Sequence, residues 1–314
     1  MIRPLTLIDT VRLVGLAGSE WVVRRGRLSG ETSRPSGALI KVLPSFSPAA
    51  FFWDWLAESR SESIWISVDG WHLSGLASAC RRAGPTTWGV EHLVAVHGEE
   101  ERCSDLLEAL AGYAGQQGAE RVFLRLPDEW RLIDLARRSG FTPCTQLLAF
   151  TLIGRTTLLG IPPPVQTHRV RLPEDDHPLF ELYTAATPAE VRLCIGLTLQ
   201  QWKDAQEPGG KWTRELIVEQ DGSIRAWVRL VTHRRDIRVQ AMVDSRWEQD
   251  LPSLVAFVLD QAGHRSVIWE VSVYQELLRL TLERVGFQAS TTYQLMVKSL
   301  VARVKEPATA PASV

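Results

Sequence analysis

Residues 266–300 read SVIWEVSVYQELLRLTLERVGFQASTTYQLMVKSL and decide the fold. They begin with a largely apolar run, Ser266 to Val273, typical of a strand that is buried on both faces. A short amphipathic segment follows and ends at Gly286-Phe287, before an apolar-rich stretch from Tyr293 to Leu300. This pattern predicts a strand, a helix and a second strand in that order.

The same order occurs once more in the chain. Residues 121–152 read RVFLRLPDEWRLIDLARRSGFTPCTQLLAFTL, with a strand from Arg121 to Leu126, Gly140-Phe141 after a short helix, and a strand from Gln146 to Leu152. The offset of about 146 residues is far longer than the period of any solenoid. The sequence therefore predicts two copies of one domain.

The upstream parts of the two copies also match. Each contains a hairpin at an Asp-Gly pair, which tolerates the positive φ of a tight turn, and a helix start at a Ser-Pro or Thr-Pro pair. The strands ending at Val96 and Val243 each precede a helix that stops near a glycine. We predict the order β-α-α-β-β-β-α-β-α-β for each copy, a mixed sheet with helices on both faces. The matching pairs are Asp69-Gly70 with Asp221-Gly222, Ser47-Pro48 with Thr187-Pro188, and Gly118 with Gly263.

Three consecutive prolines separate the copies, in the stretch Gly160-Ile-Pro-Pro-Pro164. Proline fixes φ and lacks a donor, so such a run favours an extended spacer. We predict an N-terminal domain over 1–158, a linker over 159–166 and a C-terminal domain over 167–304. The tail, 305–314, has almost no large apolar residue and is predicted to be disordered.

The composition excludes several classes of protein. The chain has 314 residues, 45% hydrophobic and 23% charged, with a formal net charge of −1. This is too apolar for a disordered chain, and it provides no overall positive field for nucleic acid. No run of 18 apolar residues is present, and the four cysteines show no CxxC spacing. We expect reduced thiols, no membrane span and a cytoplasmic location.

The element order, closing on Gly-Phe after a short helix, resembles the GNAT superfamily of acyl-CoA-dependent N-acyltransferases, twice over nearly the whole chain. The resemblance implies an α/β fold of two tandem GNAT-like domains, each a mixed central sheet flanked by helices. It implies acetyl-CoA or another acyl-CoA as cofactor and a small-molecule or peptide amine as acceptor. No nucleic-acid or membrane partner is expected, and the chain is expected to be a monomer or homodimer.

In this superfamily the pantetheine arm enters beside a splayed central strand, and a glycine-containing loop holds the pyrophosphate on backbone N–H groups. Both loops here depart from that pattern. The first reads Val96-His-Gly-Glu-Glu-Glu-Arg-Cys-Ser-Asp105, with three consecutive carboxylates, and the second, Val243 to Pro252, has no glycine. The resemblance nevertheless marks as candidate cofactor-binding residues Val94, Val96, Arg102, Cys103 and Ser104 in the first copy, and Val243 and Arg246 in the second.

The superfamily's usual general acid is a tyrosine four residues before the glycine of Gly-Phe. Ala136 and Leu282 occupy that position here and cannot donate a proton. Tyr274, at the preceding strand-helix junction, is the candidate replacement, with a structural tyrosine as the alternative. Glu91 lies on the strand ending at Val96, where several members place a carboxylate base, so it is the candidate base. The alternative for Glu91 is a strand residue that faces solvent or pairs with an arginine.

The stretch Phe51-Phe-Trp-Asp-Trp55 is the densest aromatic cluster, and the resemblance implies that it forms part of the wall around the acceptor substrate. Phe52, Trp53 and Trp55 are therefore candidate substrate-binding residues, or they pack a helix on the sheet or bury the interface between the two copies. The sequence has neither an HExxH motif nor a Cys/His cluster, so no metal site is predicted. Two functions stay open: an acyl-CoA-dependent N-acyltransferase, or a catalytically inactive GNAT-like ligand-binding or scaffold protein that has lost its pyrophosphate loop.

Overall fold

The computed structural model describes residues 1–6, 9, 12–16, 20–24, 62–96, 101–152, 162–165, 167–232 and 236–300. The strands in these ranges are β1 Ile2–Pro4, β2 Glu20–Arg24, β3 Glu62–Asp69, β4 His72–Arg81, β5 Thr87–Ala95, β6 Arg121–Pro127, β7 Thr142–Leu152, β8 His168–Val170, β9 Thr213–Gln220, β10 Ser223–Thr232, β11 Asp236–Val243, β12 Ser266–Ser272 and β13 Gln288–Ser299. The helices are α1 Glu101–Gln116, α2 Trp130–Arg138, α3 Asp176–Ala186, α4 Ala189–Ile195, α5 Leu199–Ala205, α6 Leu251–Ala262 and α7 Glu276–Val285. Short 3-10 helices cover Arg12–Leu16, Pro173–Asp175 and Ser245–Asp250.

All of these strands belong to one mixed sheet. Its order is β1-β3-β4-β5-β6-β13-β7-β12-β11-β10-β9-β8, and β2 pairs with β5 outside this path. The sequence predicts two sheets packed side by side, whereas the structure joins them. The last strands of the two halves are exchanged, because β13 pairs with β6 and β7 pairs with β12, and β7 and β13 also pair with each other. Each half therefore completes its sheet with a strand of the other half.

The predicted turns are present at both hairpins. Asp221 and Gly222 have φ of 53° and 72°, the two positive values of a type I′ turn, and Ser223 pairs with Gln220. In the first copy Gly70 has φ of 58° and is the first residue of the loop between Asp69 and His72. The Asp-Gly pairs thus mark both hairpins, with the first loop displaced by one residue.

Helices cover both faces of the sheet. α1 and α2 pack on one face of the N-terminal half, and α6 and α7 pack on one face of the C-terminal half. α3 packs on the opposite face of the C-terminal half, where Ile217 alternates with Leu216 and Val218, which face α6 and α7. This alternation follows from the two-residue period of a strand. α4 and α5 extend to the N-terminal half, where Phe123 packs with Ile195 and Ala205.

Candidate functional site

The sheet opens between two parallel strands in the N-terminal half. β5 and β6 pair at Thr87, Trp88 and Gly89 only, although both strands continue, to Ala95 and Pro127. Parallel strands that part in this way leave backbone N–H and C=O groups facing a crevice. This first crevice is therefore a place where an extended chain can add to the edge of β5.

A strand of the chain itself, β2, occupies this edge of β5. β2 pairs antiparallel with β5, with Glu20 opposite Ala95 and Arg24 opposite His92. The pairing runs along the part of β5 that has left β6, so backbone groups on this edge already have partners. Val94, a candidate cofactor-binding residue, lies opposite Trp21 and its side chain is fully buried in the core. The N–H of Val96 donates to the carbonyl of Ser74 at 3.1 Å.

Glu91, the candidate base, lies at a bulge of β5. Ala79 pairs with Val90 and Ser78 pairs with His92, so Glu91 is the extra residue between them. Its side chain is half-buried, and its Oε1 accepts a hydrogen bond from the Cys80 thiol at 3.2 Å. Glu91 thus faces neighbouring strand residues on the side of the sheet opposite to α1.

The first turn of α1 contains three candidate cofactor-binding residues. Cys103 is fully buried in the core beneath α1, and the Oγ of Ser104 lies 2.8 Å from the Oγ of Ser139. Arg102, which precedes them, is half-buried. Glu101 pairs with Arg138 on the surface, at 3.1 Å. The rest of the loop, 97–100, lies outside the described residues, as do Phe52, Trp53, Trp55 and the predicted helix start Ser47-Pro48.

A second crevice opens in the C-terminal half, between β11 and β12. These strands pair from Asp236 with Ser266 up to Gln240 with Glu270, and then part. The side chain of Gln275 bridges the gap. Its Oε1 accepts from the N–H of Ser272 at 3.0 Å and its Nε2 donates to the carbonyl of Ala241 at 2.9 Å. An amide group of the chain therefore spans the two strand ends.

The loop after β11 is organised around one carboxylate, Asp244. It accepts from the N–H of Arg246 at 3.0 Å, from the Arg246 guanidinium and from Arg225 at 3.0 Å. Burial alone would raise the pKa of Asp244, but these hydrogen bonds outweigh it and hold the pKa below its usual range. Val243 ends the strand before this loop and is half-buried. The candidate cofactor-binding residue Arg246 thus forms an ion pair with Asp244 of the same loop.

Tyr274 follows β12 at the mouth of the second crevice and is half-buried. It lies close to Tyr183, whose hydroxyl donates to the carbonyl of Gly196 at 3.1 Å. Burial, with Tyr274 as a further cause, raises the pKa of Tyr183. Tyr274 therefore lies within electrostatic range of Tyr183 on α3.

Sequence reasoning missed a row of polar residues that crosses four strands of the C-terminal half. Glu215 pairs with Arg229, Arg229 with Gln240, and Gln240 with Glu270. Arg125 of β6 joins the row, since its Nη2 lies 2.9 Å from Oε1 of Glu270. Burial opposes ionisation of Glu270, yet the charges of Arg125 and Arg238 lower its pKa to about 2. A sequence signal was available, because Glu270 is the one carboxylate in an otherwise apolar strand.

No protein-family model and no curated protein matches this sequence. Solved structures do match nearly the whole chain. A tandem GNAT protein from the clavulanic acid biosynthesis pathway has a TM-score of 0.54 at 12% identity, covering 98% of this chain and 99% of its own. A GCN5-related N-acetyltransferase from Sphaerobacter thermophilus has a TM-score of 0.52 at 15% identity, covering 95% of both chains. A tandem GNAT fold is shown. A putative acetyltransferase from Pyrococcus horikoshii is also similar in structure, with a TM-score of 0.53 at 12% identity, covering 97% of this chain and 91% of its own.

Within this tandem GNAT fold the candidate acid and base lie in different copies. Glu91 is on β5 and Tyr274 follows β12, and β6, β13 and β7 separate those strands in the sheet. Four strand spacings correspond to about 19 Å. The two side chains therefore do not form one site, and each can serve only its own crevice.

In the part of the chain that the structure covers, no cluster of three or more His, Cys, Asp or Glu side chains suits a metal ion. Among the helices that the structure describes, none has both the length and the apolar character needed to span a membrane.

Proposed function

We propose that the protein is an acyl-CoA-dependent N-acyltransferase in which the C-terminal copy holds the acyl-CoA. One observation carries the choice of copy. β11 and β12 part after Gln240 and Glu270, and no other described strand enters the gap. In the N-terminal copy the equivalent edge of β5 is paired with β2. Among the described strands, an extended ligand thus finds an edge that no other strand pairs with only at the second crevice.

The residues at the second crevice fit such a ligand in part. The carbonyl of Ala241 and the N–H of Ser272 are hydrogen-bonding groups for an extended amide, and both now bond Gln275. Arg225 and Arg246 are the cations for a diphosphate, and both now bond Asp244. Binding therefore requires that Gln275 and Asp244 give up contacts, which lowers affinity compared with a preformed site.

When bound, acyl-CoA supplies a thioester that an amine can attack. The acceptor is proposed to be a small-molecule or peptide amine. In the C-terminal copy Tyr274 is the proposed proton donor to the departing thiolate, by its position at the crevice mouth. Glu91 lies too far away to act there, so its proposed role as a base is confined to the first crevice.

A second function, a non-catalytic binding or scaffold protein of this fold, is favoured by a specific observation. Groups of the chain already occupy both crevices: the strand β2 in the first, and the Gln275 side chain in the second. Under this alternative the carboxylate of Asp244 is a permanent part of the loop, and the crevices stabilise the protein without binding acyl-CoA.

Amide hydrogen exchange with acetyl-CoA separates the two functions and the two copies. We expect bound ligand to slow exchange in peptides covering 241–250 and 272–276, with no change in peptides covering 90–96. A thermal shift should accompany it, since ligand at 100 times its Kd adds about 2.7 kcal/mol. Mass spectrometry of products from an amine panel then tests transfer itself.

Three outcomes count against the proposal. Protection confined to 90–96 contradicts the choice of copy. Absence of any shift at millimolar acetyl-CoA favours the scaffold alternative. Binding without any acylated product, across all amines tested, also supports that alternative. Tyr274→Phe is the matched variant for transfer, because it removes only the hydroxyl and should leave acetyl-CoA binding unchanged.

A further inference from the structure

Two thiols meet where the N-terminal half contacts α4. Cys144 lies on β7 and Cys194 lies on α4. The Cys144 thiol donates to the carbonyl of Val191 at 4.0 Å, and Val191 is three residues before Cys194 in the same helix. The two thiols are also in hydrogen-bonding contact with each other. No disulfide joins this pair in the structure, so both sulfurs can still react.

A bulge in β7 brings Cys144 to α4. Pro143 and Thr145 pair with successive residues of β13, so Cys144 is the extra residue between them, and a bulge changes the direction of the side chain that it carries. β13 has an equivalent bulge, with Ser290 as its extra residue, at the offset of about 146 residues that relates the two copies. The second copy thus has a hydroxyl where the first has a thiol, and the bulge itself does not require cysteine.

The surroundings of the pair set the order in which the two thiols react. Both cysteines are half-buried, and Cys194 packs against the cluster around Phe123. Burial raises the pKa of the Cys144 thiol and the nearby Cys194 thiol raises it further, against a smaller lowering by the charge of Arg82. Cys144 therefore stays protonated while Cys194 is a thiol. Oxidation of Cys194 removes that second cause, so Cys144 then ionises more readily.

We propose that Cys144 and Cys194 are a reversible redox pair that forms a disulfide bond, with a small disulfide such as oxidised glutathione as the oxidant. Cys194 attacks one glutathione sulfur, and its proton passes through water to the glutathione that departs. Cys144 then attacks the sulfur of Cys194, loses its proton in the same way and releases the second glutathione. One S–S bond forms and one breaks, so two protein thiols are oxidised and oxidised glutathione is reduced to two thiols.

The bond joins β7 of the N-terminal half to α4 of the C-terminal half and restrains the end of that helix. Arg121 donates to the carbonyl of Ile195 at 3.1 Å. The next carbonyl, that of Gly196, accepts from the Tyr183 hydroxyl at 3.1 Å. The crosslink therefore fixes a helix end that already bonds to both halves. Its formation does not require acyl-CoA, so it is independent of the proposed function.

The test is oxidation of the folded full chain in mixtures of reduced and oxidised glutathione. Acid quenching and N-ethylmaleimide block the remaining thiols, and peptide mass spectrometry then maps each disulfide. We expect one main linkage, between Cys144 and Cys194, that dithiothreitol reverses and that slows amide exchange in peptides covering 189–196. Absence of this linkage in fully oxidised glutathione overturns the proposal. Glutathione that remains on Cys194 of the folded parent also overturns it, because Cys144 would then not complete the exchange.

Two variants and a control locate the bond. Cys144→Ser introduces the residue that the second copy has at its own bulge, so we expect a folded chain that forms no linkage and retains glutathione on Cys194. Cys194→Ser should form neither the linkage nor a glutathione adduct at Cys144. Cys80→Ala removes a cysteine of β4 and should form the linkage as the parent does. Circular dichroism establishes that each variant is folded. Loss of the linkage in folded Cys80→Ala, or stable glutathione on Cys144 of folded Cys194→Ser, contradicts the assignment.

Discussion

The guanidinium of Arg169 donates two parallel hydrogen bonds of 2.6 Å to the carboxylate of Asp175. Arg3 and Asp9 form the same pair in the first copy, atom for atom, at 2.7 Å. In both copies the acid also accepts a backbone N–H, from Leu172 or from Thr6. This duplicated pair fixes the first strand of each half to the turn that follows it.

Asp175→Asn is expected to destabilise the fold by about 1–3 kcal/mol, because it removes a charged partner from a nearly buried site. Hydrogen bonds from Arg169 hold the pKa of Asp175 below its usual range. The carboxylate therefore stabilises the fold above its unfolded pKa, and this contribution is lost as pH falls through the lower folded value. Urea denaturation at pH 7 and pH 3 measures both effects. Asp9→Asn is the matched variant, and an effect in only one copy would contradict their equivalence.

Removal of Arg125 alone should cost about 3–5 kcal/mol, because it leaves Glu270 buried without its counter-ion. The double variant, Arg125→Met with Glu270→Met, should be closer to the parent in stability than either single variant, because it leaves no unpaired buried charge. The folded pKa of Glu270, about 2, predicts that its contribution is present above about pH 4.3 and disappears towards pH 2. Chemical denaturation of the three variants forms a double-mutant cycle, and strictly additive losses would show that the pair is not coupled.

Gln275→Ala removes a side chain that bonds both sides of the second crevice. We expect a loss of about 1 kcal/mol and faster exchange at the Ser272 amide. If acetyl-CoA replaces those bonds, the variant should bind it at least as tightly as the parent. Gln275→Glu keeps the acceptor but sets a carboxylate against the Ala241 carbonyl, so it should lose more stability. Weaker acetyl-CoA binding by Gln275→Ala would show that the amide supports the ligand.

The exchanged strands predict that the two halves do not fold separately. Without the second half, β6 loses its partner β13 and β7 loses both neighbours. Expression of 1–158 alone should therefore give an unfolded or aggregated chain, and co-expression with 159–314 should give a 1:1 complex. Size-exclusion chromatography and circular dichroism measure this. A soluble, cooperatively folding 1–158 fragment would contradict the exchange.

Burial raises the pKa of the Cys144 thiol, and the neighbouring Cys194 raises it further. The thiol should stay protonated at pH 8, where an ordinary cysteine with a pKa near 8.5 is partly ionised. We expect slow alkylation by iodoacetamide in the folded protein and rapid alkylation in urea. Peptide mass spectrometry gives both rates, and equal rates would mean that the thiol is not shielded.

The sequence was informative where a local rule applies. Asp221-Gly222 specifies positive φ at two successive residues, and Gly286 ends a helix with φ of 102°. The sequence also contains a local signal for the start of α5. Thr198 accepts from the N–H of Gln201 at 3.2 Å, the N-cap pattern of a Thr with a Gln three residues later.

The remaining features depend on contacts between distant residues. β6 could pair with β7 or with β13, since both are alternating strands after a Gly-Phe, and no local pattern separates the two choices. The polar row is equally non-local, because Arg125 and Glu270 lie 145 residues apart. Asp244 reads in sequence as one acid among several, and only the fold shows that it engages Arg225 and Arg246.

The exchange of β7 and β13 has an evolutionary consequence. A tandem protein can lose one copy during evolution only if the other copy folds without it. Here the first copy has β2 in its crevice, and its last strand, β7, pairs with β12 at the second crevice. Selection can thus relax on the candidate ligand-binding residues of the first copy while it preserves the architecture of that copy, and deletion of the first copy would also disrupt the sheet of the second.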